Sequence, residues 1–68
     1  MKLSNFTEVQ LRKAMLDAGY DTYASLARKL NKTPQAVRKV IKKEKHQVPM
    51  RALENAIYHE LAEYLPKN

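Results

Sequence analysis

The apolar positions of this 68-residue chain recur at helical spacing in four successive blocks. In the first block, Val9, Leu11, Ala14, Met15 and Ala18 predict a helix over residues 7–18. Thr7 stands at its start with Gln10 three residues on, the spacing of a capping box. Phe6 before the cap and Leu11 inside the helix are placed to form a hydrophobic staple. Gly19 supplies the left-handed residue that ends the helix, and Leu3 is expected to pack beside it.

The second block follows at once. Asp21 or Thr22 can cap a helix over residues 22–30, with Tyr23, Leu26, Ala27 and Leu30 inward and Ser25, Arg28 and Lys29 outward. Asn31 tolerates the left-handed conformation and can turn the chain. The third block covers residues 33–43. Thr33 is its N-cap, and Pro34 falls at the first helical position, where the absent N–H is no loss. Val37, Val40 and Ile41 point inward, which leaves Gln35, Arg38, Lys39 and Lys42 together on the opposite face. "KKEKHQV" reads as a loop or a fraying end. Pro49 opens the last block, residues 49–64, with Met50, Leu53, Ala56, Ile57 and Leu61 buried, Tyr64 and Leu65 extending it, and Pro66 stopping it. A separate short helix at 61–65 is compatible with the pattern but not demanded by it. The expected fold is therefore all-α, four or five helices in a single domain spanning 1–68.

Composition narrows this further. There is no cysteine, so disulfides and thiolate metal sites are excluded. One glycine and no β-branched alternation argue against a sheet protein. No signal-peptide core and no apolar run of membrane-spanning length is visible, so a cytoplasmic protein is expected. Charge adds more. The net charge is +6, yet residues 28–45 hold eight bases and one acid, 8 − 1 = +7, and the other fifty hold five bases and six acids, −1. A basic patch on an otherwise balanced domain is the footprint of a polyanion binder, although a solvated lysine face has the same composition.

The second and third helices, joined by Asn31-Lys32-Thr33, have the size of a helix-turn-helix unit, whose second helix enters the major groove. Ala27 is small where the two helices must cross closely. The stretch "LARKLNKTPQAVRKVI" resembles the lambda-repressor and Cro-like helix-turn-helix family. With its flanks, "TYASLARKLNKTPQAVRKVIKK" and then "MRALENAI", it is most similar to the small Ner-like phage regulators, over about residues 6–60. Two positions depart from the family pattern. Asn31 stands where a glycine is usual, and Lys32 where an apolar residue is usual. Either the Lys32 stem covers apolar surface while its ammonium reaches solvent, or the turn is looser.

The resemblance implies a lambda-repressor-like DNA-binding domain in which Gln35, Arg38, Lys39 and Lys42 contact bases. The chemistry agrees, since Gln can bond adenine bidentately and Arg prefers guanine O6 and N7. Thr22, Tyr23, Lys32, Thr33, Lys43 and Lys45 are better suited to phosphates. The expected partner is double-stranded DNA, bound by two copies as a homodimer at least when on DNA. The role so implied is a phage- or prophage-type transcriptional regulator, a repressor acting by occupancy.

Other chemistry is poorly represented. His46 and His59 lack a ligand-spaced partner, and His59 with Glu63 makes only half a metal site. Ser4 and Ser25 have no accompanying base pattern, and no phosphate-cradling glycine loop is present. Hence no enzyme, no cofactor, no metal and no small-molecule ligand is expected. A membrane-surface role conflicts with the need for Val37, Val40 and Ile41 in the core. Two alternatives stay open: a DNA-architectural or recombination accessory protein of the excisionase type, and a protein-interaction adaptor on the same fold.

Overall fold

In the computed structural model of the protein, residues 3–44 and 50–66 are described. Lys45, His46 and Pro49, named above as a phosphate contact, a lone histidine and a helix start, lie outside the described residues. The architecture is all-helical, with no strand among the described residues. A 3-10 turn at Leu3–Asn5 leads into α1 (Glu8–Asp17), α2 (Tyr23–Leu30), α3 (Pro34–Ile41) and α4 (Arg51–Leu61), followed by a 3-10 turn at Ala62–Tyr64.

The first three helices start and stop by one repeated device. Thr7, Thr22 and Thr33 sit in extended conformation, and each hydroxyl accepts from the backbone N–H three residues on, at 3.1–3.2 Å. Thr7 and Thr22 complete reciprocal capping boxes with Gln10 and Ser25, so Thr22 rather than Asp21 is the cap of α2. The ends are left-handed: Gly19 at φ 94°, Asn31 at 59° and Lys43 at 57°. Around each, two backbone bonds close the last turn. Tyr20 N–H donates to Met15 O (2.8 Å), Lys32 N–H to Ala27 O (2.8 Å) and Glu44 N–H to Lys39 O (2.9 Å). The left-handed residue's own N–H reaches the carbonyl three back in every case. This is the Schellman arrangement. Gly19 and Asn31 fill the role expected of them; the left-handed Lys43 is not foreshadowed by its residue type. The turn after α2 is closed by both bonds, so Lys32 has not loosened it.

These connections bring the apolar stripes onto one core. Leu3, Phe6, Leu11, Ala14, Met15, Leu26, Ala27, Val37, Val40, Ile41, Leu53, Ile57, Leu61 and Leu65 are all buried in one cluster. The α2–α3 pair is the most extensively packed in the molecule, with Leu26, Ala27 and Val37 wholly covered. A Cα radius of gyration of 10.7 Å is what full compaction of a chain this long gives, about 11 Å. No helix among the described residues is long and apolar enough to cross a membrane.

Three expectations need correction. Val9 is not on the buried stripe; it is 75% exposed. Two residues from Leu11, it lies roughly 200° around the helix from that anchor. Leu16, one heptad further, emerges on the same side and is 54% exposed. The last block is not one α-helix to residue 64; of the two forms the pattern allows, the one with a separate short helix is found, a 3-10 turn at Ala62–Tyr64. That turn delivers Leu65 rather than Tyr64 to the core. Lastly, α3 is shorter than residues 33–43: the helix proper ends at Ile41, with Lys42 as its C-cap.

A tie distant in sequence links the α1–α2 connection to α4. The Tyr20 hydroxyl donates to the Glu60 carboxylate. That hydrogen bond, then burial, then the nearby charges of Glu60 and Tyr64, push the Tyr20 pKa up to about 12.

Candidate nucleic-acid interface

The rotation of α3 about its own axis is fixed by what it buries. Val37, Val40 and Ile41 are in the core, so positions 35, 38, 39 and 42 must face away from it. All four side chains assigned to base contact, Gln35, Arg38, Lys39 and Lys42, are exposed there on one face. Thr33 and Pro34 begin the helix abruptly, which leaves Gln35 in the first turn at its open end.

Arg38 is not a free cation on this face. Its Nη2 stands 3.3 Å from Glu44 Oε2, with the two side chains 53% and 36% exposed. The left-handed backbone at Lys43 causes this pairing. It folds the chain back, the Glu44 N–H binds the Lys39 carbonyl, and Glu44 comes to lie beside the last turn of α3. Arg38 and Glu44 are six apart, a spacing at which an uninterrupted helix would not bring side chains together. Sequence reasoning therefore missed Glu44.

The residues assigned to phosphates fall into separate groups. Lys32 and Thr33 are exposed between α2 and α3, immediately before the candidate reading face. Thr22 and Tyr23 open α2. There the guanidinium of Arg12 from α1 lies over the Tyr23 ring, 5.1 Å from its centroid, and Nη1 donates to Tyr23 Oη at 2.9 Å. The phenol oxygen accepts in that bond and keeps its own proton to donate. Arg12 thus brings a cation to this point, missed because its partner is eleven residues away. Lys43 points elsewhere: its ammonium donates to the Leu3 carbonyl at 3.4 Å, holding the N-terminal turn against the end of α3.

The rest of the described surface offers less chemistry. His59 is exposed, and no three His, Cys, Asp or Glu side chains come together among the described residues in a way that could hold a metal ion. No buried side-chain nitrogen or oxygen is left without a hydrogen bond among the described residues. Compared with known proteins, the chain matches no family model, no curated protein and no solved structure.

Proposed function

We propose that this protein binds duplex DNA with sequence preference, inserting α3 into the major groove, and that it regulates transcription as a phage- or prophage-type repressor. In this reading α2, the turn and α3 act as a helix-turn-helix of the lambda-repressor type. The observation that carries it is the division of α3 into two faces. One is fully committed to the core; the other exposes Gln35, Arg38, Lys39 and Lys42 within the segment holding the whole charge excess.

The mechanism follows from those residues. The basic segment draws the domain to the phosphate backbone by counterion release, which is independent of sequence. Lys32, Thr33 and the Thr22–Tyr23–Arg12 group then contact the backbone and set the register. Gln35 offers an amide that matches adenine, and Arg38 a fork that matches guanine. Lys39 and Lys42 lie further along the same face. A domain of this size reads only a few base pairs, so two copies on adjacent half-sites supply the remaining affinity. Occupancy of such a site excludes other proteins from it.

Selection from a random duplex library, run in parallel on the wild type and on Gln35→Ala/Arg38→Ala, tests the proposal. A short motif enriched by the wild type and lost in the double variant is expected, with both proteins equally helical. An identical motif from both proteins overturns the assignment of these residues. Absence of enrichment, with binding that is weak and insensitive to salt, overturns DNA recognition itself.

A further inference from the structure

We propose that Glu44 is a specificity-determining positioning residue: it holds the Arg38 guanidinium over the outward face of α3 and keeps it from neighbouring phosphates. This rests on the DNA-binding reading above and adds to it a residue that contacts no base. Two linked features of the chain converge on it. One is the ion pair itself, Arg38 Nη2 to Glu44 Oε2 at 3.3 Å. The other is the backbone that produces it, since Lys43 adopts φ 57° without being glycine, a conformation unfavourable for an L-residue. The bond from Glu44 N–H to Lys39 O (2.9 Å) then fixes where the carboxylate starts from.

The physical consequence concerns discrimination more than affinity. Glu44 is the single acid among the charges of residues 28–45. An arginine on a long flexible stem in so basic a segment tends to seek the nearest phosphate, a contact that carries no sequence information. Glu44 opposes this in two ways. It occupies one edge of the guanidinium, and its negative charge repels an approaching phosphate. Guanine can still win, because O6 and N7 together accept from the fork in a bidentate contact. Arg38 then bridges the base and Glu44. A phosphate can accept from the same fork, but unlike guanine it carries a full negative charge, which Glu44 repels. Specificity is a difference of affinities, and here a repulsive element supplies part of it.

The test compares wild type, Glu44→Gln, Arg38→Ala and Arg38→Ala/Glu44→Gln. The readouts are random-duplex selection and fluorescence-anisotropy titration on an unrelated duplex at several salt concentrations. For Glu44→Gln the expected results are two- to fivefold tighter binding to the unrelated duplex, about the factor of an exposed ion pair. The slope of log K against log salt should steepen by about 0.9, one added phosphate contact. One guanine position should disappear from the enriched motif. In the Arg38→Ala background the Glu44→Gln change should leave the motif as it is and alter the slope by less than it does in the wild type. A purely structural role for Glu44 would weaken all binding and move no single motif position. An unchanged motif and slope in Glu44→Gln, with the wild type enriching normally, overturns the role of Glu44 and leaves DNA binding standing. Failure of the wild type to enrich any duplex overturns both together. Circular dichroism of each variant detects any loss of fold, and Glu44→Asp, which keeps the charge but withdraws it by one methylene, should lose the same guanine position with a smaller change in slope.

Discussion

Replacing Gly19 by alanine isolates the conformational term that lets α1 end and α2 begin within a few residues. Gly19 has φ +94°, and a Cβ added there would meet no atom within 4 Å. The change therefore introduces no clash and removes no contact. What remains is backbone energy. Placing an L-residue in left-handed conformation costs about 1–2 kcal/mol. Stiffening the unfolded chain by Gly→Ala offsets about 0.4–1 kcal/mol of that. The net loss is about 1 kcal/mol. For a 60–100-residue domain that corresponds to about 4–8 °C in Tm. Thermal unfolding followed by circular dichroism at 222 nm measures it directly. Gly19→Asn should fall between glycine and alanine, because asparagine tolerates positive φ, and Gly19→Val should fall below alanine. A Gly19→Ala variant as stable as the wild type, or more stable, would refute the left-handed turn at this position.

Other perturbations probe other links of the structure. Leu26→Ala should cost about 2–4 kcal/mol, because Leu26 is wholly buried where α2 packs on α3. Set against a total of about 3–10 kcal/mol for a chain of this length, this removes a large share of the stability and should show as a much lower Tm by circular dichroism, and undiminished stability would contradict the packing. Raising the pH should weaken the fold through Tyr20. Its proton is held to about pH 12 when folded, but to about 10 in an unfolded chain. The stabilisation is thus fully present below pH 10 and lost as pH rises through 10 to 12. Denaturant titrations across that range should show a shallower fall for Tyr20→Phe than for the wild type, and parallel curves would sink the Tyr20–Glu60 tie. Val9→Gln should change stability by no more than about 0.5 kcal/mol, as Val9 is exposed; a larger loss by thermal unfolding would place it back on the buried stripe.

The local grammar of this chain was legible and the long-range geometry was not. Thr7, Thr22, Thr33, Pro34, Gly19 and Asn31 act within three or four residues of themselves, so residue type and spacing suffice to read them. The same holds for the two faces of α3, because three buried positions fix the helix rotation. Val9 misled because an apolar residue near a helical stripe need not lie on it, and surfaces carry many such residues. Lys43 was opaque for a different reason. Nothing in a lysine announces positive φ, yet α3 ends at Ile41, with Lys42 as its C-cap and a left-handed Lys43 where no glycine stands. That hidden turn is also why the Arg38–Glu44 pair could not be foreseen. Arg12 with Tyr23, and Tyr20 with Glu60, join residues eleven and forty apart, a separation at which spacing rules are silent.

The balance of the candidate face differs from a list of its cations. Of the residues assigned to DNA, Arg38 is held by an acid, Lys43 is turned toward the Leu3 carbonyl, and Tyr23 shares its hydroxyl with Arg12. Binding would thus engage side chains that already have partners. In the proposed reading this trades raw electrostatic attraction for orientation, which favours discrimination among sequences over affinity for any duplex.

The most direct measurement is a nitrogen-15 chemical-shift titration of the labelled protein with a duplex enriched from the random library. The largest backbone changes should fall between residues 32 and 43, with Gln35 and Arg38 among them, a second group at Thr22 and Tyr23, and little change along α4. Perturbations centred on α4, or on the exposed Val9–Leu16 side of α1, with α3 unmoved, would contradict the claim that the outward face of α3 reads DNA.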